Sequence, residues 1–327
     1  MRALVLGATG HIGAHVVRAL LAGGHEVRAA YRRDVHLNVL DGLPVERMRV
    51  DLETLQGLRG AVDGCAWVFH AAAYYPGFRD PVEQAVARGV EALRCQLAVI
   101  AEARPARLIF TSSASTVQRV PGRLADERDA EPWPLADGRP AYATVKIALE
   151  HELRRACASG LPAVIVNPSL CVGEYDAHPF SGQALLLYAK WRMPLYLRHT
   201  FNAVYTGDVG VGQVRAAEVG RLGERYLLTG RNVTLYEFAS LVARTAKVRP
   251  PWLRVPYRAA LGAAVASEAL ARLTRTRPLL PREIVYTARR GQRLDGSKAA
   301  REFGLPQTPL EEAVARALRW FREHGYL

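Results

Sequence analysis

Residues 3–13 read ALVLGATGHIG, and this stretch decides the fold of the 327-residue chain. A short apolar run, ALVL, leads into three glycines, and a helical pattern from about His11 to Ala22 follows. A glycine-rich turn lets the backbone pass close to a bound diphosphate, and the free N–H groups at the start of the helix attract its charge. The stretch therefore predicts a nucleotide-binding strand, turn and helix, with these candidate contacts: Gly7, Thr9, Gly10, His11, Ile12 and Gly13.

Beyond this unit, short apolar runs alternate with longer helical patterns. The strand-like runs are HEVRAAY, VERMRV, AWVFH at 66–70, ARLIFTSS and PAVIVNP at 162–168, and the longer helices are predicted over 81–103 and 141–159. Strands that are apolar on both faces and separated by helices pair in parallel, with helices covering both sides. The first half of the chain therefore predicts an α/β fold with a doubly wound parallel sheet.

The pattern changes after Pro168. Loop-rich sequence gives way to NAVYTGDVG and RYLLTG and then to mostly helical sequence. Thr234 and Glu237 predict a capping box, and Thr308 and Pro309 are typical of the N-cap and first position of the last helix. We expect residues 1–168 to form the dinucleotide-binding domain, residues 169–327 to form mainly a smaller mixed, mostly helical substrate lobe, and residues 203–230 to return to the main sheet.

The charge of the chain is strongly positive. Lys and Arg number 44 against 31 Asp and Glu, a net charge of +13, and only four of the basic residues are lysines. Counted over the whole chain, the forty arginines are scattered among alanine, leucine and valine. A nucleic-acid-binding surface needs clustered positive charge, so we expect no nucleic acid partner.

Cysteine usage and hydropathy bear on the compartment. The four cysteines form no C-x-x-C pair, which predicts a reducing cytoplasm and no metal site. No export signal is expected, because a strand pattern already begins at Arg2. The alanine-rich run at 259–266 is well short of the roughly 20 apolar residues that a transmembrane helix needs, although contact of that helix with a membrane surface stays open.

The end of the second predicted strand bears on the choice of cofactor. A carboxylate there accepts the ribose hydroxyls of NAD. Here residues 28–33 read RAAYRR, with no carboxylate before Asp34. Because arginine can pair with a 2′-phosphate, Arg32 and Arg33 favour NADP, and NAD remains the alternative because Asp34 can still reach the ribose.

Tyr142 and Lys146 predict acid–base chemistry. They stand four residues apart at the start of a helix, so both side chains lie on one face. An ammonium beside a phenol lowers the phenol pKa from about 10 toward neutrality, which lets tyrosine exchange a proton with a carbonyl oxygen or an alcohol. Ser112 and Ser113 follow the strand LIFT at the ligand-binding edge of the sheet, where a hydroxyl can hold a substrate oxygen.

These motifs together resemble the extended short-chain dehydrogenase/reductase family, which includes the NAD-dependent epimerases and dehydratases. The resemblance rests on GATGHIG, on Asp51 and Leu52, on His70 followed by three alanines, and on FTSSAST, YATVK and Asn167-Pro-Ser, in this order along nearly the whole chain. FTSSAST is similar to dihydroflavonol-4-reductase-like proteins. FNAVYTGDVG, GERYLLTG and ALRWFREHGYL resemble the hopanoid-associated sugar epimerase subgroup.

The resemblance implies a Rossmann domain, a role for particular residues, and a homodimer through the helices around Glu91 and Lys146. The implied catalytic residues are Ser113, Tyr142 and Lys146. The implied cofactor contacts are Asp51 and Leu52 near the adenine, the backbone of Ala71, Ala72 and Ala73, Lys146 at the ribose, and Asn167, Pro168 and Ser169 near the nicotinamide. The chain departs from the family at Gly89, where relatives carry Asn, and at His11, where an aromatic residue is usual.

The leading hypothesis is hydride transfer between NADP(H) and a secondary alcohol or ketone of a fairly hydrophobic small molecule. The candidate substrate contacts are apolar or aromatic apart from Ser112; they are Tyr74, Tyr75, Phe78, Ser112, Trp133, Tyr188 and Trp191. The alternative is a sugar-nucleotide epimerase or dehydratase with tightly bound cofactor, whose diphosphate clamp would be Lys190, Arg192 and Arg198. A non-catalytic NADP sensor is a third hypothesis, which the presence of Tyr142 and Lys146 disfavours.

Overall fold

The computed structural model describes residues 1–72, 74, 76, 80–132, 140–179, 181–274, 276 and 278–327. The elements of the first half are β1 (Arg2–Leu6), α1 (His11–Ala22), β2 (Glu26–Tyr31), β3 (Val45–Arg49), α2 (Leu58–Val62), β4 (Trp67–His70), α3 (Val82–Glu102), β5 (Arg107–Thr111), α4 (Ala141–Ala158) and β6 (Ala163–Pro168). The second half contains β7 (Leu170–Val172), α5 (Gln183–Ala189), β8 (Leu195–Tyr196), β9 (Thr200–Tyr205), α6 (Thr206–Val219), β10 (Arg225–Leu228), β11 (Arg231–Thr234), α7 (Leu235–Thr245), β12 (Leu253–Arg254), α8 (Tyr257–Thr274), α9 (Arg282–Arg290), α10 (Ser297–Phe303) and α11 (Leu310–Glu323).

The main sheet has seven strands in the order β10-β6-β5-β4-β1-β2-β3, and every neighbouring pair is parallel. Strands β4 and β6, each flanked by two others, are buried along their whole length, which explains their continuous apolar character. The chain builds the sheet outward from β1 to β3 and then continues at β4 on the other side of β1. The doubly wound parallel sheet predicted from the sequence is confirmed.

Helices cover both faces of this sheet. On one face, α1 packs closely against α6, and a Cβ on Gly210 of α6 would lie only 2.7 Å from the carbonyl oxygen of His15, so this approach requires glycine. Helix α10 joins the same face, where Phe303 packs against Tyr226 of β10 at 4.2 Å between ring centres. The other face is covered by α2, α3 and α4, whose apolar side chains pack against Leu4 and Leu108 of the sheet.

The substrate lobe is built on a mixed three-stranded sheet, β11-β9-β7, and on a two-stranded sheet of β8 and β12. The predicted capping box of α7 is confirmed, because Thr234 Oγ1 accepts from the N–H of Glu237 and the Glu237 carboxylate accepts from the N–H of Thr234. The prediction that Thr308 caps the last helix is wrong. Its hydroxyl and N–H both donate to Asp208 at 2.8 Å, and α11 begins at Leu310 with Pro309 as its N-cap. Within the described residues, no helix combines the length and the apolar character needed to cross a membrane.

Candidate active site

A cleft of about 1330 Å³ runs along the carboxyl ends of the strands of the main sheet. Its wall combines the turn after β1, the ends of β2, β4, β5 and β6, the start of α4 and parts of the substrate lobe. Doubly wound sheets bind ligands at this edge, beside the point where the strand order reverses. In this chain that point lies between β1 and β4, next to the glycine turn.

The glycine turn has the shape of a cradle for a diphosphate. Gly7 has a φ of +81°, and a Cβ there would lie 2.9 Å from the backbone of Ala72. A Cβ on Gly13 would overlap the carbonyl oxygen of Gly7. Gly10 is the N-cap of α1 and provides no side-chain cap, so the first N–H groups of the helix point to the cleft without a side chain across them. These residues fit the phosphates of a dinucleotide.

His11 joins this cradle to the substrate lobe. Its ring lies in the cleft wall, with Nε2 2.9 Å from Thr206 Oγ1 and Nδ1 3.8 Å from a carboxylate oxygen of Asp176. Burial lowers the pKa of His11 to about 3, so the imidazole is neutral near pH 7. Its predicted contact with the phosphates is therefore limited to a neutral hydrogen bond.

The two arginines predicted to select the cofactor differ in position. Arg32 lines the cleft, and its Nη1 donates to Glu53 Oε1 at 3.2 Å. Arg33 does not line the cleft, and neither does Asp34, the carboxylate that kept NAD open. Of the two arginines, Arg32 is therefore the one in the cleft wall.

Asp51 closes a turn next to Leu52. Its Oδ1 accepts from the N–H groups of Glu53 at 2.8 Å and Thr54 at 3.2 Å, and these bonds lower the pKa of the carboxyl group. The resemblance implies that both Asp51 and Leu52 lie near the adenine, and of the two Leu52 lines the cleft.

Consecutive hydrogen bonds between buried side chains hold the segment after β4 in place. His70 Nε2 lies 2.9 Å from Gln96 Oε1, and Gln96 Nε2 donates to the carbonyl of Leu52 at 2.8 Å. Burial lowers the pKa of His70. Ala71 and Ala72 line the cleft as predicted for the nucleotide site, and Ala73 lies outside the described residues.

Tyr142 and Lys146 both face the cleft from the start of α4. The Lys146 side chain is buried, its Nζ donates to the carbonyl of Thr111 at 3.3 Å, and the same nitrogen lies 5.9 Å from the centre of the Tyr142 ring. Burial lowers the pKa of Lys146 to about 8, against the opposing effect of Glu150. Lys146 is therefore still mainly an ammonium at pH 7, next to the phenol.

The two serines after β5 have different environments. Ser113 lines the cleft, and its Oγ accepts from the N–H of Ser115 at 3.1 Å as the N-cap of a short 3-10 helix, Ala114–Thr116. Ser112, predicted to contact substrate, donates its hydroxyl to the buried carboxylate of Glu150 at 2.7 Å. Both serines line the cleft, but Ser112 keeps only acceptor lone pairs for a ligand, whereas Ser113 also keeps its hydroxyl proton.

A buried polar network holds residues 112–116 after β5, here called the serine loop, on the side away from the cleft. Glu150 pairs with Arg225 of β10 at 3.3 Å, and both side chains are almost inaccessible to solvent. Asn167 donates to Glu150 at 2.8 Å and to the carbonyl of Ser113 at 3.1 Å. Asn167 was predicted as a cofactor contact, but it is fully buried in this network and does not line the cleft, whereas Pro168 and Ser169 do.

Among the predicted substrate contacts, Tyr74 lines the cleft. Its ring packs on Gly89, where a Cβ would lie 3.2 Å from it, so the glycine that departs from the family pattern makes room for this tyrosine. Tyr75, Phe78 and Trp133 lie outside the described residues.

The remaining candidates on α5 and its flank lie away from the cleft. Tyr188 is buried in the core of the substrate lobe, where its hydroxyl donates to the carbonyl of Leu195 at 3.3 Å. Trp191 is 62% exposed and does not line the cleft. The proposed diphosphate clamp is not in the cleft wall either: Lys190, Arg192 and Arg198 are exposed elsewhere on the lobe.

Several cleft residues from the second half were not predicted. Gln292, just after α9, donates through Nε2 to the carbonyls of Ala114 at 3.0 Å and Val117 at 2.9 Å, and it lines the cleft. His199 and Phe201 also line it, with their rings stacked at 5.3 Å. Glu150 stands four residues after Lys146, so the sequence predicts that both lie on the same face of the helix. No local pattern around Arg225 predicts that it pairs with Glu150.

Comparisons with known proteins agree with this geometry. A sequence model described as "NAD dependent epimerase/dehydratase family" matches residues 3–194. Sterol demethylase protein B of Methylococcus capsulatus is 34% identical over 333 aligned positions that cover all of both chains. A putative dihydroflavonol 4-reductase of Synechocystis is 32% identical over 99% of this chain and 95% of its own length.

Solved structures agree as well. A Pseudomonas aeruginosa protein described as a nucleoside-diphosphate-sugar epimerase is 30% identical, covers 100% of this chain and 99% of its own, and has a TM-score of 0.81. The family match extends over more than half of the sequence, and relatives above 30% identity span it from end to end. The chain therefore belongs to the NAD-dependent epimerase/dehydratase family and is an NAD(P)-dependent enzyme of the extended short-chain dehydrogenase/reductase type.

Proposed function

We propose that this enzyme uses NADP to interconvert a ketone and a secondary alcohol on a fairly hydrophobic small molecule. The observation that carries the proposal is the position of Tyr142 and Lys146 on one face of α4, in the same cleft as the glycine cradle. The names of two relatives, a sterol demethylase protein and a putative dihydroflavonol reductase, support a bulky, largely apolar substrate. Apolar residues in the substrate part of the wall, Val117, Leu170 and Phe201, support the same class.

Three residues of the cleft have separate roles in the proposed reaction. When bound, the dinucleotide supplies or accepts the hydride. Tyr142 gives a proton to the carbonyl oxygen during reduction and takes it from the alcohol during oxidation. Lys146, fixed by the carbonyl of Thr111, stabilises the phenolate by its charge and binds the nicotinamide ribose. Ser113 holds the reacting oxygen in line with Tyr142.

Tyr142→Phe tests the proton-transfer role. We expect turnover of a panel of steroid and flavonoid ketones to fall by about 10²- to 10⁴-fold, because the ring remains and only the proton donor is lost. NADPH affinity, measured by nucleotide fluorescence, should stay within about two-fold, since the dinucleotide cradle is untouched. Tyr236→Phe, an exposed position on α7, is the matched control. Unchanged turnover in Tyr142→Phe would contradict the assignment.

Arg32 tests the cofactor preference, with Arg33 as its neighbouring control. A charge-assisted hydrogen bond to the 2′-phosphate is worth roughly 1.5–3 kcal/mol, so Arg32→Ala should lower kcat/KM for NADPH by about 10- to 100-fold and leave NADH nearly unchanged. Arg33→Ala should change neither, because Arg33 does not line the cleft. A wild-type enzyme that prefers NADH would overturn the preference for NADP.

An epimerase is the second candidate, favoured by the described activity of the Pseudomonas aeruginosa structure. It is disfavoured by the position of Lys190, Arg192 and Arg198 away from the cleft. The ratio of NADPH consumed to product formed separates the two, because an epimerase returns its hydride and consumes none. Mass spectrometry of the purified protein adds a second test, since retained nucleotide favours the epimerase. Tight nucleotide binding without turnover of ketones or sugar nucleotides would point instead to a sensor.

A further inference from the structure

Most of the net charge lies in one segment of the substrate lobe. Residues 244–293 carry twelve of the 44 Lys and Arg residues but two of the 31 Asp and Glu residues, so they hold ten of the thirteen net positive charges. Counted over the whole chain the arginines are scattered, but counted locally they form this cluster. Within it, the exposed cationic side chains that the structure describes are Arg244, Lys247, Arg249, Arg254, Arg258, Arg289 and Arg293.

Exposed apolar side chains are concentrated in the same segment. Of the sixteen large hydrophobic residues that are exposed in the described part of the chain, eight lie between residues 252 and 286. They include Leu273 at 83% exposure and Leu279 at 96%. Soluble proteins rarely expose contiguous apolar surface unless it contacts a partner or a membrane.

Helix α8 presents these residues as an ordered stripe. The exposed positions Gly262, Val265, Ala266, Ala269, Leu270 and Leu273 recur at helical spacing and form one stripe about 17 Å long. The opposite face makes the contacts with the protein, and its fully buried residues are the alanines Ala260, Ala264 and Ala271. The apolar face of α8 therefore points away from the protein core, which reverses the usual orientation of a surface helix.

We propose that α8 and α9 form a docking face for the surface of a lipid bilayer that contains anionic lipids. Val265, Leu270 and Leu273 would enter the boundary between headgroups and acyl chains, which removes their side chains from water. The surrounding arginines would meet the negative headgroups, each adding attraction. Helix α8 would lie in the plane of the interface and not cross the bilayer.

Charge and chemistry favour a bilayer over other occupants. A symmetric dimer through this face would bring two strongly positive segments together, and like charges repel. A nucleic acid would satisfy the arginines but leave the leucine stripe in water. A bilayer with anionic lipids satisfies both the charge and the apolar stripe.

The docking face is connected to the active-site cleft through α9. Ile284 and Tyr286 of α9 are exposed, while Thr287 and the following Gly291 and Gln292 line the cleft. An apolar substrate dissolved in the bilayer would then reach the cleft beside α9. This route rests on the proposed function, whereas binding of the protein to vesicles does not and is measured without turnover.

Vesicle flotation tests the docking face with full-length protein. Wild type should float with vesicles of 70% POPC and 30% POPG, and binding should be at least about tenfold weaker with pure POPC, because the arginines lose their partners. The variant Leu270→Glu/Leu273→Glu should bind POPG vesicles at least about tenfold more weakly, since each change removes an inserted side chain. Val219→Glu/Leu222→Glu, which alters exposed residues on and after α6, should stay within about twofold of wild type.

A second variant tests the arginines by removing positive charge without adding negative charge. Arg254→Gln/Arg258→Gln should weaken binding by about fivefold for each arginine, from about 1 kcal/mol per charge at an anionic surface. Equal melting temperature and equal NADPH affinity in all variants will exclude unfolding as the cause.

Three results would overturn the proposal. One is wild-type protein that fails to float with POPG vesicles at low salt. Another is a leucine variant that binds POPG vesicles as wild type does, because binding would then reflect general attraction to polyanions, which equal binding of wild type to an RNA oligonucleotide would corroborate. The last is self-association that depends on Leu270 and Leu273 in the absence of vesicle binding, which would make this face a contact between copies of the chain.

Discussion

Lys146→Met should make the protein more stable while removing its activity. The ammonium is buried at 2% exposure, and burial lowers its pKa from 10.5 to about 8. That difference corresponds to about 3 kcal/mol of stability lost below pH 8. Methionine fills a similar volume without a charge, and losing the hydrogen bond to Thr111 costs about 1–1.5 kcal/mol. The expected net gain is about 2 kcal/mol.

Thermal unfolding at two pH values measures this gain. With an unfolding entropy of about 2.1 cal/mol/K per residue, 2 kcal/mol corresponds to a rise in Tm of about 3 °C at pH 7.5. Between pH 8 and 10.5 the unfolded chain keeps the proton on Lys146 while the folded chain releases it, so wild-type stability rises with pH across this window. The difference between variant and wild type should therefore nearly vanish at pH 10.

Lys190→Met is the control for the loss of a lysine, because Lys190 is exposed and its replacement should change Tm by less than about 1 °C at pH 7.5. A fall in Tm for Lys146→Met at pH 7.5, or a rise of equal size at both pH values, would refute the reasoning. The expected result would mean that the chain accepts a destabilising charge in its interior because the reaction requires it.

Other substitutions test the supporting structure. Glu150→Ala leaves the buried guanidinium of Arg225 without its carboxylate, so the free energy of unfolding should fall by about 3–5 kcal/mol and Tm by about 4–7 °C. The control is Glu152→Ala on the same helix, which breaks a surface pair with Arg94 and should lower the free energy of unfolding by less than about 1 kcal/mol. Gly13→Ala should weaken NADPH binding by at least about tenfold in a fluorescence titration, because the added methyl group would push the backbone of Gly7 out of the cradle. The control is Gly262→Ala, whose added methyl group has no atom within 4 Å and should leave NADPH binding unchanged. Thr234→Ala removes the capping box of α7 and should lower the free energy of unfolding by about 1 kcal/mol in urea denaturation; no change would show that the cap is dispensable.

The sequence was sufficient where structure depends on neighbouring residues. The buried strands, the glycine turn and the Tyr142–Lys146 face each follow from local periodicity, and the structure contains all of them. The position of Ser112 and Ser113 at the end of β5 also follows from the strand, and family resemblance selected Ser113 of the two as the catalytic serine; both line the cleft.

The sequence was insufficient where contacts join distant segments. Asn167 was expected at a ligand, but Glu150 and Arg225, which are 75 residues apart, draw it into the buried network; Ser112 also bonds Glu150 while it lines the cleft. Gln292 reaches the serine loop from more than 170 residues away, and no local pattern marks it. The basic segment was missed for another reason, because a whole-chain charge count averages it with sequence that is nearly balanced.

The return of β10 and α10 to the main sheet determines which parts of this protein can be exchanged. A fragment cut after Pro168 would leave β6 as an edge strand with unpaired backbone groups and would uncover the surface of α1 that α6 occupies, so it should aggregate rather than fold alone. The segments between these elements, residues 170–205 and 229–296, run from β6 to α6 and from β10 to α10, so each begins and ends on that fixed body. Transplanting both segments together from a relative should therefore transfer substrate preference while the nucleotide-binding body stays intact.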